Sequence, residues 1–213
     1  MKFSYVFAFG ASFAVLYACS NDTEPKPPAG GETCDSYCKR MSTTCNEPGN
    51  NPFPGPDPMA TCLKTCTNWP AGDLKSANDD LGCRARILSS TLELSGAEKA
   101  AGCQNAGPIS AGCGGVCATF CHLNTSVCIG STAQYASVSE CMTQCNTFPQ
   151  GLDRAIPQTK DGNSVACRAY HTLVATGSEV DRATHCPHAG NPASAHCFGT
   201  LDDAGTVSDA SSD

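Results

Sequence analysis

Lys2 is followed by the apolar run FSYVFAFGASFAVLYA, residues 3–18, and the chain turns polar at SNDTEPKPPAGGE, residues 20–32. The run is too short for a comfortable membrane span but suits the hydrophobic region of an export signal. The Pro- and Gly-rich stretch after it predicts an extended, disordered tether. Beyond the tether, cysteines recur at helical spacing. Cys34, Cys38 and Cys45, at i, i+4 and i+11, share one helical face, and pairs four apart recur at Cys62 and Cys66, Cys117 and Cys121, and Cys141 and Cys145.

Helix start signals fall beside these cysteines. Asp57 and Pro58 supply an N-cap and a first-turn proline before Cys62, and Ser137 with Glu140 reads as a capping box before Cys141. Third helices are predicted to begin near Asn78 and Asn163, carrying Cys83 and Cys167 in their first turns. Gly177 can close the latter, while Ser95 with Glu98 and Ser178 with Asp181 open short fourth helices. Periodicity disappears in the Gly-, Pro- and Asn-rich loops near residues 104–112 and 187–196.

The spacing repeats. Cys34, Cys38, Cys45, Cys62, Cys66, Cys83, Cys103 and Cys113 have intervening gaps of 3, 6, 16, 3, 16, 19 and 9 residues. Cys117, Cys121, Cys128, Cys141, Cys145, Cys167, Cys186 and Cys197 have gaps of 3, 6, 12, 3, 21, 18 and 10. CDSYCKRMSTTC aligns with CATFCHLNTSVC, GCRARI with ACRAYH, and CQNAGPISAGC with CPHAGNPASAHC. The expected fold class is therefore all-α and disulfide-rich, with two tandem repeats of about four short helices each and irregular loops. The layout is residues 1–18 signal peptide, 19–32 lipidated cysteine and tether, 33–115 and 116–199 the two repeats, and 200–213 an acidic tail.

Antiparallel helices 8–10 Å apart allow bridges between outer and outer, and inner and inner, cysteines. That predicts Cys34–Cys66, Cys38–Cys62, Cys117–Cys145 and Cys121–Cys141. Elimination then leaves Cys45–Cys83, Cys103–Cys113, Cys128–Cys167 and Cys186–Cys197. The paired CX3C segments resemble, in geometry alone, the twin CX3C hairpins of small intermembrane-space proteins.

Seventeen cysteines, about 8% of 213 residues, place the chain in an oxidising compartment, and aromatic residues at 7% leave a thin core in need of such staples. The odd cysteine is Cys19. Leu16-Tyr17-Ala18-Cys19 resembles the bacterial lipobox, in which the cysteine is lipidated and becomes the mature N-terminus; Tyr17 stands where a small or aliphatic residue is usual. By the same resemblance, Ser20 implies lipid anchoring in the outer membrane. The net charge of −7, with acids concentrated in LDDAGTVSDASSD, argues against nucleic acid or anionic lipid as electrostatic partners.

All five histidines lie in the second repeat, and His171, His185, His188 and His196 gather toward its end, where the first repeat has Ile87, Gly102, Asn105 and Gly112. Two readings stand. If the fourth helix and its loop pack on the third, His171, His185 and His188 converge as a site for Zn or Cu; otherwise these are surface or capping residues. Arg168 beside them is a lesser candidate anion contact.

No CXXC or CXXCH occurs, and no GXSXG, HEXXH, P-loop or dinucleotide motif, so no catalytic residue is assigned and an enzyme is not expected. The segments ACRAYHTLVA and HCPHAGNPASAHCFG resemble uncharacterised cysteine-rich bacterial lipoproteins carrying CRxxH and HCPHAG motifs. The resemblance covers mainly residues 117–199 and implies location rather than activity. The expectation is an exported, lipid-anchored envelope protein of structural or interaction type, its partners the membrane and an envelope protein or ligand. The alternatives are a metal-binding envelope protein and a thiol redox protein.

Overall fold

The computed structural model describes residues 31–152, 156–192 and 195–198. The expected signal peptide, the lipidation site Cys19, the tether up to residue 30 and the acidic tail lie outside the described residues. Among those described, the secondary structure is helical throughout: α1 (Cys34–Thr44), α2 (Pro58–Cys66), α3 (Leu81–Thr91), α4 (Gly96–Ala106), α5 (Val116–Val127), α6 (Val138–Cys145), α7 (Val165–Ala175) and α8 (Glu179–His185), with short 3-10 turns between and after them. None of the described helices is long and apolar enough to cross a membrane.

Most helices start on a side chain that takes up an orphan amide. The Asp57 carboxylate accepts from the Ala60 amide at 3.0 Å ahead of Pro58, and Ser137 Oγ accepts from Glu140 at 3.1 Å. Glu140 reaches back to the Ala136 amide at 2.7 Å, one residue further than a capping box requires. The third helices start later than Asn78 and Asn163 suggest. Asp80 and Ser164 are the N-caps, holding the Cys83 and Cys167 amides at 2.8 and 3.1 Å. Ser95 occupies the N-cap of α4 without a side-chain cap bond, whereas Ser178 caps α8 by accepting from Asp181 at 3.1 Å. The α7 cap is Thr176, and Gly177 follows it because a Cβ there would stand 2.3 Å from the Asp181 carboxylate.

Eight disulfides hold these helices, with Cα–Cα distances of 5.6 to 5.9 Å. Cys34–Cys66 and Cys38–Cys62 join α1 to α2, and Cys117–Cys145 and Cys121–Cys141 join α5 to α6, as antiparallel pairs. The other four differ from the elimination scheme. Instead of Cys45–Cys83 and Cys103–Cys113, the structure forms Cys45–Cys103 and Cys83–Cys113; instead of Cys128–Cys167 and Cys186–Cys197, it forms Cys128–Cys186 and Cys167–Cys197. The reason is that α4 runs through Cys103 to Ala106, which carries this cysteine to the C-terminal end of α1. The first turn of α3 faces the closing loop instead, where Cys83 Sγ lies 3.5 Å from the Gly112 carbonyl. Connectivity is the same in both halves.

Each half has its own apolar cluster. Tyr37, Met41, Phe53, Leu81 and Leu88 form one; Phe120, Leu123, Tyr135, Ile156, Val165 and Leu173 form the other, which also takes Ile109 from the first repeat's closing loop. A buried arginine pins each closing loop. Arg84 donates to the Gly107 and Pro108 carbonyls at 3.1 Å and lies 4.1 Å above the Trp69 ring. Arg168 donates to the Gly190 carbonyl at 3.2 Å and lies 3.7 Å above the Phe148 ring. Tyr135 Oη adds a bond to the Ala189 carbonyl at 3.0 Å. Arg168 is therefore committed to the loop that bears His188, and is not an anion contact. Lys64 to the Gly177 carbonyl at 2.6 Å and His122 to Asp79 at 2.9 Å connect the two halves.

Candidate metal centre

His171 comes from the second turn of α7, one turn after the disulfide-bonded Cys167. His185 is the last residue of α8, and His188 lies in the 3-10 turn Cys186–Ala189. The intervening Pro187 and the Cys128–Cys186 disulfide fix the direction of that turn. His171 is 3% exposed, while His185 and His188 are half-buried, so the group opens to solvent on one side.

Hydrogen bonding settles the tautomer of His171. Its Nε2 lies 2.9 Å from the Lys160 carbonyl, which can only accept, so Nε2 carries the proton and Nδ1 carries the lone pair. That lone pair faces the Nδ1 atoms of His185 at 3.1 Å and of His188 at 3.3 Å. Two nitrogens on one tetrahedral Zn2+, each at about 2.0–2.1 Å, stand roughly 3.3–3.4 Å apart. The two separations from His171 are thus within a few tenths of an ångström of ligand spacing, and the ligand atoms of all three rings lie within 4.8 Å of one another. The carbonyl bond on the far side of the His171 ring is the usual way a ligating imidazole is held in orientation.

The electrostatics keep these rings neutral. Burial pushes His171 down from 6.5 to about 4, against the Lys160 hydrogen bond, and the neighbouring imidazoles lower it further. Burial also lowers His185, against the nearby Asp181 carboxylate, and lowers His188. Neutral imidazoles present lone pairs, which a metal ion needs and a proton would occupy. Cys167 and Cys197 also lie within 4.8 Å of His171, but their sulfurs are joined to each other and offer no thiolate.

The structure brings His171, His185 and His188 together, the three residues the sequence offers as candidates, and sets His122 apart on Asp79. Sequence reasoning passed over Lys160, whose role is that of a carbonyl and leaves no trace in side-chain identity. It also passed over Asp161, 2.7 Å from His196 Nδ1, which would be visible as the acid beside the loop that meets the cluster.

The first repeat is built against such a site. A Cβ on Gly102, the counterpart of His185, would meet Thr91 Oγ1 at 2.4 Å, and one on Gly112, the counterpart of His196, would meet Ile87 Cδ1 at 2.9 Å. Where Thr91 closes the space, the second repeat has Ala175. No protein-family model, curated protein or solved structure matches the chain.

Proposed function

We propose that this chain is an exported envelope protein, lipid-anchored through Cys19, whose second repeat binds one Zn2+ or Cu2+ ion through Nδ1 of His171, His185 and His188. The observation that carries the reading is the convergence of three neutral imidazole nitrogens, at 3.1 and 3.3 Å from one another through His171, with the lone pair of His171 turned inward. Imidazole suits both ions, and the set contains no thiolate that would favour Cu+. Eight disulfides belong to an oxidising compartment and supply the rigidity that three ligands from three elements require. The lipobox-like Leu16 to Cys19 and the Ser20 after it support anchoring, and an outer-membrane address.

A purely structural or interaction role leaves the replacement of Ile87, Gly102 and Asn105 by three converging histidines without a cause. A thiol redox role is less favoured, because every cysteine among the described residues is disulfide-bonded and none forms the CXXC pair that exchange-active sites use. Titration of the oxidised, chelator-stripped protein with Zn2+ and Cu2+ tests the proposal. One ion per chain is expected, lost by at least 100-fold in H171A and unchanged in I87A at the matching position of the first repeat. Failure of the parent protein to bind either ion at micromolar concentration overturns it.

A further inference from the structure

We propose that His196 is the fourth ligand of this ion, through Nε2, and that Asp161 is its positioning residue, so that the loaded site is a closed four-imidazole site without a bound water. The inference rests on the three-histidine reading above and specifies what that site does.

Four imidazole rings lie in one cluster. The His196 ring centroid is 5.2 Å from that of His171 and 4.8 Å from that of His188, alongside separations of 5.4 Å for His171 to His185, 4.7 Å for His171 to His188 and 5.9 Å for His185 to His188. Imidazoles on one tetrahedral ion, with metal–nitrogen distances of about 2.0–2.1 Å and a ring radius of about 1.1 Å, place their centroids roughly 5 Å apart. The His196 ring already stands at that separation from two of the other three.

Hydrogen bonding prepares the correct nitrogen. His196 Nδ1 lies 2.7 Å from Asp161 Oδ1, so Nδ1 carries the proton and Nε2 the free lone pair. A carboxylate on the far nitrogen of a ligating histidine fixes its tautomer and raises its basicity. Here it also sets one negative charge beside a dication whose ligands are otherwise neutral.

The backbone holds His196 at the rim of the site. The Cys167–Cys197 disulfide ties its neighbour to α7 one turn before His171, and the His196 carbonyl accepts from the Gly162 amide at 2.9 Å, next to Asp161. The His196 side chain is half exposed and its nitrogens stand outside the 4.8 Å group of the other three, so the proposed ligand joins them by drawing in from the rim with its Asp161 bond kept. The matching pair in the first repeat, Gly112 against Ile87, shows that these two positions face each other in this fold.

A closed set of four nitrogens retains an ion and leaves no water for hydrolysis, which assigns the site to metal retention. Co2+ substitution with azide addition, together with competitive Zn2+ titration, tests this on the full oxidised chain. The parent is expected to give a four-coordinate Co2+ spectrum indifferent to azide. H196A and H196Q are expected to bind Zn2+ 10- to 100-fold more weakly and to give Co2+ spectra that azide alters. D161N is expected to weaken Zn2+ about tenfold while keeping the parent's indifference to azide. Parent affinity in H196A, or a parent spectrum that azide alters as much as it does the variant's, overturns the fourth ligand and leaves the three-histidine site standing. A parent that takes up no ion overturns both.

Discussion

The Nδ1 atom of His171 lies 3.1 Å from the Nδ1 atom of His185, fourteen residues later on a different helix. The His171 ring cannot rotate away cheaply. His171 is held from behind by the Lys160 carbonyl at 2.9 Å, and His185 is followed by a disulfide-bonded cysteine. Two lone pairs cannot face each other, so in the metal-free protein the His185 ring, while neutral, turns its Nδ1–H toward the lone pair of His171.

The burial of His171 has a pH signature. Burial holds His171 at about 4, against 6.5 in an unfolded chain, so between these values the unfolded state binds a proton that the folded state does not. The contribution is complete above pH 6.5 and is lost as pH falls toward 4. Denaturation of the chelator-treated, disulfide-intact protein should show stability dropping by on the order of 2–3 kcal/mol across that window. His185 and His188, lowered in the same direction, steepen the drop. H171Q should flatten it, and equal stability of the parent at pH 7.5 and pH 4.5 contradicts the burial assigned to His171.

The disulfides are expected to separate frame from site. Cys45–Cys103 and Cys128–Cys186 both span 58 residues, so removing either by double Ala substitution should cost about 4 kcal/mol in chain entropy. Only the second holds a residue between His185 and His188. Zn2+ affinity should fall at least tenfold in C128A/C186A and stay within twofold in C45A/C103A, as measured by competitive titration. Peptide mapping of the non-reduced protein should recover both bridges.

Much of this was legible in the sequence, for physical reasons. The i, i+4 cysteines define a helical face, and two such faces dictate the four hairpin bridges between α1 and α2 and between α5 and α6. The remaining four bridges depend on where α4 and α8 end relative to α1 and α5, which is a tertiary fact. Elimination by proximity along the chain therefore chose Cys45–Cys83 where the fold makes Cys45–Cys103. The pattern places the starts of the third helices near Asn78 and Asn163, but the caps are Asp80 and Ser164, which stand three residues before the cysteine amides they hold. The asymmetric histidines were visible, whereas the Lys160 carbonyl that fixes the tautomer was not.

Arg84 is fully buried, pairs with Asp79 and holds three carbonyls, those of Asp80, Gly107 and Pro108. R84M leaves the Asp79 carboxylate with His122 as its remaining partner and strands three buried carbonyls, and should cost about 3–5 kcal/mol in chemical denaturation. R84K should recover only part, because an ammonium cannot replace a planar fork aimed at several acceptors. A loss below about 1 kcal/mol in R84M contradicts the role given to this arginine.

Thr91 and Gly102 should behave as a coupled pair. G102A drives a methyl group into Thr91 and is expected to cost about 1–3 kcal/mol, while T91A removes the atoms it strikes. The double variant should be more stable than the sum of the two single losses implies, by at least about 0.5 kcal/mol in a double-mutant cycle. Simple additivity contradicts the steric account of why the first repeat lacks the histidines.

The proposed site takes its ion on Nδ1 of His171, His185 and His188 together. Nitrogen-15 NMR of histidine-labelled protein, recorded before and after one equivalent of Zn2+, reads it directly. The Nδ1 resonances of His171, His185 and His188 should move together to metal-bound positions, with His171 Nε2 remaining protonated and His122 unaffected. Binding through Nε2 of these residues, or a Zn2+ response confined to His122, would contradict it.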